Sequence, residues 1–95
     1  MRLEISDPAE REISEAYDWY SERSPQAAGR FLAELDRAFD VVLKSPRVWP
    51  KLDSDTRRFV LKRYPFSLIY HLSEDAIQII ALAHHKRLPG YWTSR

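Results

Sequence analysis

Ser24-Pro25 falls between two stretches of helical periodicity and leaves them only one or two residues of linker. A hydroxyl before a proline caps a helix and presets its first turn. The same pair ends whatever helix precedes it, because the residue before proline is driven out of the helical region. Two helices joined this closely fold back on each other as an antiparallel hairpin. The first helix opens in a similar way at Asp7-Pro8-Ala9-Glu10, with Asp7 as cap and Pro8 at the first helical position. Ala9, Ile13, Ala16, Tyr17 and Tyr20 mark its inner face up to Arg23, and Trp19 is placed with Tyr17 and Tyr20 in the core or at its rim. In the second helix Ala28, Phe31, Leu32, Leu35, Ala38, Phe39, Val42 and Leu43 recur every 3.6 residues, and Ser45-Pro46 stops it.

Elsewhere the apolar period is two, the period of strands. Leu3 and Ile5 alternate with Arg2 and Glu4 in a short first strand. After a loop from Pro46 to Thr56, Phe59 and Leu61 alternate with Arg58, Val60 and Lys62. Phe66, Leu68, Tyr70 and Leu72 follow, alternating with Ser67, Ile69 and His71. Ser73-Glu74-Asp75 reads as a tight turn into a last strand, where Ile77, Ile79, Ala81 and Ala83 share one face and Ile80 and Leu82 the other. Apolar residues on both faces predict a central strand. The order strand-helix-helix-strand-strand-strand is an α+β architecture: a helical hairpin on one face of a small, twisted, mainly antiparallel sheet. The opposite face is expected to be more polar and concave. At 95 residues, the chain is read as a single domain over 1–95.

Charge divides along the same boundary. Residues 1–55 carry 8 Lys/Arg against 12 Asp/Glu, a net −4, and residues 56–95 carry 7 against 2, a net +5. A basic strand half facing an acidic helical half predicts an anionic partner for the sheet, although Lys and Arg also guard exposed sheet edges. With no cysteine, a disulfide framework and a zinc-thiolate site are excluded. No apolar run is long enough for a membrane span, and Met1 to Ile5 does not read as a signal peptide, so the expected setting is the cytoplasm, without a membrane.

Three clusters can carry chemistry. Arg57, Arg58, Lys62 and Arg63 place four cations in seven residues, suited to phosphate or to an acidic segment. His84-His85-Lys86-Arg87 closes the last strand; adjacent strand residues face opposite ways, so one histidine packs inward and the other faces the open side. Leu88-Pro89-Gly90-Tyr91-Trp92 turns the chain back on the sheet, with Trp92 as a hydrophobic plug or a ring for stacking on bases. No acid or cysteine completes a metal site around the two histidines, and neither a metal nor a cofactor is expected.

The element order, the strand Arg63-Tyr64-Pro65-Phe66-Ser67-Leu68-Ile69-Tyr70, the strand end Ile77 to Arg87 and the tail Pro89-Gly90-Tyr91-Trp92 resemble the RelE/ParE superfamily of bacterial toxins. The resemblance spans nearly the whole chain and is closer to the ParE-like branch. It implies the toxin half of a type II toxin–antitoxin pair, partnered by a cognate antitoxin in a hetero-oligomer. ParE-like members poison DNA gyrase; RelE-like members cut messenger RNA on the ribosome. RelE-like toxins carry an arginine just before the run that here is Leu68-Ile69-Tyr70, and this chain has Ser67 there. That departure removes a cation from the place of the scissile phosphate. His84 with Arg87 resembles the strand end of ParE-like toxins. The gyrase reading is therefore preferred, with the ribonuclease as its alternative. In the alternative, His84, His85, Arg87 and Tyr91 would be catalytic, with Arg63 supplying charge. In either case Arg57, Arg58, Lys62, Arg63, Lys86, Arg87 and Trp92 are the expected contacts to target or antitoxin.

Overall fold

The computed structural model describes residues 1–95. Strand β1 (Arg2–Ile5) leads into helices α1 (Asp7–Arg23) and α2 (Pro25–Lys44), followed by strands β2 (Thr56–Val60), β3 (Phe66–Leu72) and β4 (Ala76–His84) and a 3-10 turn at Tyr91–Ser94. The four strands form one sheet in the order β1-β4-β3-β2. β1 runs parallel to β4, and the other two pairs are antiparallel. No helix is long and apolar enough to cross a membrane.

Ser24 caps both helices at their junction. Its N–H donates to the Tyr20 carbonyl, and its hydroxyl accepts from the Ala27 N–H at 3.0 Å. The cap of α1 is Ser6, which accepts from the Ala9 N–H at 3.3 Å, and not Asp7. Asp7 is the first helical residue instead, where its charge still meets the positive end of the helix dipole. Phe31, Leu35, Ala38 and Val42 of α2 and Ala9 and Ala16 of α1 are buried against Phe59, Leu61, Leu68, Tyr70, Ile77, Ile79 and Leu82. Leu32 lies off that face and is 38% exposed. Trp19 is also outside the core: it is half exposed, with the Arg23 guanidinium 3.2 Å from its ring centroid. Tyr20 alone of the three α1 aromatics packs inward, stacked on Phe31 at 5.1 Å.

Strand β4 departs from simple alternation. Ile69 pairs with Ala81 but Tyr70 pairs with Ile79, so Ile80 is an extra residue on β4, a bulge. One extra residue exchanges the two faces of all that follows. Ile77 and Ile79 face the helices, whereas Ala81 and Ala83 join Ile69 on the opposite side and Leu82 takes the helix side. That opposite face is therefore less polar than expected, a small apolar cluster partly covered by Tyr91 and Trp92.

β2 also ends earlier than its pattern implies. Lys62 and Arg63 belong to the turn into β3, with Arg63 at φ 65°. The loop before β2 is tied down by the Tyr70 hydroxyl, which donates to the Pro46 carbonyl at 2.6 Å. Asp53 secures the other end, accepting from the N–H groups of Asp55 and Thr56 and from the Thr56 hydroxyl.

Candidate functional site

The bulge at Ile80 decides which way the end of β4 points. His84 follows Leu82 to the helix side, where its ring meets Phe66 edge-on at 5.1 Å. Its Nδ1 accepts the Lys86 N–H at 3.0 Å, which assigns the neutral ring's proton to Nε2. It lines a groove of about 320 Å³ together with Glu12, Trp19, Tyr20 and Arg87. His85 turns to the open side of the sheet, with its Nε2 3.0 Å from the Ser67 hydroxyl. One histidine thus packs inward and one faces out, as strand geometry requires.

Ser67 is buried and paired with Ala83 across the sheet. Around it Arg58, His85, Arg87 and Trp92 line a second cleft, of about 160 Å³. Arg58 reaches it from β2, opposite Ile69 in register. Expected contact residues from three separate segments, Arg58, Arg87 and Trp92, meet in this cleft.

The other expected residues lie elsewhere. Arg57 donates to the carbonyls of Arg47 at 2.9 Å and Trp49 at 2.8 Å, so its guanidinium braces the loop before β2. The Lys62 N–H donates to Glu34 at 2.8 Å. Bonds from Arg37 hold that carboxyl below its usual range, ahead of the contribution from Lys62. Arg63 stands exposed in the same turn, and Lys86 is exposed just past β4.

The centre that sequence reasoning missed is Glu12. Its position among Arg11, Ser14 and Glu15 on α1 reads as part of a solvated helix face. In the fold its side chain is only 10% exposed. β1 pairs with β4 only as far as Ile79, so the rest of that edge of β4 has no strand beside it. Glu12 fills the gap, accepting the Leu82 N–H at 3.1 Å. Arg95 bonds both Glu12 oxygens, at 2.8 and 3.1 Å, and also donates to the Ile80 carbonyl at 2.9 Å. The Tyr91 hydroxyl donates to Glu12, and Arg87 approaches it at 3.4 Å while stacking 3.7 Å over the Tyr91 ring. One carboxylate on α1 therefore anchors the bulged strand and the C-terminal tail together. An N-terminal acid with C-terminal Arg, Tyr and Arg gives no local pattern by which to find it.

Burial, then the bond to Glu12, pushes the Tyr91 hydroxyl up to about 12. An unfolded tyrosine ionises near 10, so this group's contribution to stability is intact below pH 10 and declines as pH rises toward 12. Tyr91→Phe removes that decline. Urea midpoints at pH 9, 10 and 11 should fall less steeply for the variant than for the wild-type protein; parallel slopes would contradict the assignment. No three His, Asp or Glu side chains gather in a geometry that could hold a metal ion.

The family described as the ParE toxin of the type II toxin–antitoxin system, parDE, matches residues 3–89. Among solved structures, the chain is similar to one titled "Chromosomal ParDE TA system from P. aeruginosa", with a TM-score of 0.77 and 20% sequence identity, covering 88% of this chain and 95% of that one. At that identity the likeness is one of fold. No curated protein sequence matches the chain.

Proposed function

Since the chain belongs to the ParE toxin family of type II toxin–antitoxin systems, we propose that it arrests bacterial growth by holding DNA gyrase in its cleaved-DNA state. As one half of such a pair it has an antitoxin for a partner. That antitoxin neutralises it in a hetero-oligomer, with the basic strand half drawing an acidic segment into place. Residues 1–95 act as a single domain, and a gyrase target puts that action in the cytoplasm.

The observation that favours a binding inhibitor over a ribonuclease is how the would-be catalytic groups are engaged. Ser67 stands where a phosphate-holding cation would be needed, and its hydroxyl is bonded to His85. The Tyr91 hydroxyl donates to Glu12 and is pushed up to about 12, too far from neutrality to serve as a general base. Nδ1 of His84 is occupied by a backbone N–H. Internal attack by a ribose hydroxyl needs a free base, a free acid and placed positive charge.

Purified protein is expected to accumulate cleaved gyrase–DNA complexes and to leave ribosome-bound messenger RNA intact in a parallel reaction. Codon-linked messenger RNA cleavage with unaffected gyrase would reverse the reading in favour of the ribonuclease.

A further inference from the structure

We infer that two copies of this chain pair about a two-fold axis, each setting the turn after β4 into a groove on the other's helical hairpin. The groove lies along α1 and α2 and encloses about 660 Å³. Its floor is apolar, made by Ile5, Ile13, Leu35 and Phe39. Its rim is acidic: Asp7, Glu10, Glu15 and Asp18 stand there against one cation, Arg11. None of these four carboxylates takes part in an ion pair within the chain. An apolar trough edged by unpaired acids is complementary to an apolar side chain flanked by cations.

The turn after β4 has that pattern. Leu88 is 78% exposed, more than any other large apolar residue, and the exposed Lys86 and Arg87 precede it. Lys86 is in no ion pair, and Arg87 approaches Glu12 only to 3.4 Å. Bonds on both sides hold the turn in shape: the Arg87 N–H donates to the His84 carbonyl at 3.0 Å, and the Leu88 carbonyl accepts from the Tyr91 N–H at 3.3 Å. A projection already fixed loses little entropy on docking. Groove and turn also adjoin, because Glu15 lines both this groove and the cleft that Arg87 lines. Two complementary patches side by side suit a closed pair, in which each copy gives one turn and receives one. The net −4 of residues 1–55 and +5 of residues 56–95 favour a second copy as the occupant. An acidic antitoxin segment would meet like charge at this rim. The pairing does not depend on which cellular target the toxin has.

The test is sedimentation equilibrium of the purified, antitoxin-free protein over a concentration and salt series. The wild-type protein is expected to reach the mass of two chains and to dissociate more readily as salt screens the rim. Leu88→Ala should raise the dissociation constant roughly a hundredfold, about tenfold for each of the two turns. Two charge reversals give the sharper readout. Glu10→Lys with Asp18→Lys alters only the groove, and Lys86→Glu alters only the turn. Each protein alone should pair more weakly than wild type. Mixed together they should form a heterodimer tighter than either homodimer, since both turn-to-groove contacts are then attractive, a rescue that misfolded variants could not show. Thermal midpoints will show that the variants are folded. A wild-type protein that stays at the mass of one chain would overturn the proposal, as would a dimer unchanged by Leu88→Ala and by the groove reversal. A groove reversal that leaves the dimer intact but abolishes antitoxin binding would overturn it in favour of the antitoxin as the groove's occupant.

Discussion

Glu12→Ala should lower the thermal midpoint by roughly 10–20 °C, the equivalent of about 2–3 kcal/mol in a domain of this size. Surface charges on a helix rarely matter this much, but Glu12 is 10% exposed and serves several donors at once. Its removal leaves the Leu82 N–H without a partner on an edge that β1 does not cover, and leaves the tail without its anchor. Unmade bonds to buried groups cost more than made ones contribute. Glu12→Gln should fall between the two, since an amide can still accept from Leu82 but no longer offers charge to Arg87 and Arg95. Hydrogen exchange separates this from a general loss of stability: the Leu82 amide should exchange much faster in Glu12→Ala, while amides in α2 follow only the global change. A midpoint within a degree or two of wild type would show that the tail is held by Trp92 packing alone.

The second large effect is expected from Phe31→Ala, at about 3–5 kcal/mol. Phe31 is fully buried, and its ring stacks on Tyr20 and meets Tyr64 and Phe66 at centroid distances of 5.1, 5.6 and 6.0 Å. Removing it opens a cavity where α1, α2 and β3 meet. A domain of this length has a total stability of about 5–14 kcal/mol, so the free variant should unfold at far lower urea. Leu32→Ala, one residue along on the exposed side, should change the midpoint by no more than about 0.5 kcal/mol. If the antitoxin binds only the folded toxin, adding it should recover part of the lost midpoint by mass action. Equal effects of the two substitutions would show that the second helix is rotated from the face described.

The helical hairpin was legible because its signals are local. Ser24-Pro25 starts and stops helices within a turn, and the 3.6-residue spacing from Ala28 to Val42 needs no knowledge of what it packs against. The α1 cap slipped by one residue because Ser6 and Asp7 are both good caps; the register of β1 against β4, with Ser6 N–H on the Ile79 carbonyl, selects the first. Trp19 was harder, since an aromatic beside two tyrosines looks like core until the width of the groove at α1 is known.

The candidate site divides in the same way. Its composition, a basic strand half ending in two histidines, an arginine and two aromatics, was plain in the chain, and so was the family. Which residues meet was not. Counting alternate positions along β4 put Ala81 and Ala83 with Ile77 and Ile79, and one bulged residue reversed that. Arg57 and Arg58 look equivalent in sequence, yet one braces a loop and the other stands free beside Ser67.

The sequence by itself determined the elements, their order, the helix face that is buried and the separation of charge, because caps and periodicities act between residues within one or two turns. Only the tertiary structure decided the strand faces beyond Ile79, the convergence of Arg58, Ser67 and His85, and the role of Glu12. Those depend on pairings between distant segments. Glu12 and Leu82 are 70 residues apart, and nothing in the neighbourhood of either specifies the other until the sheet closes.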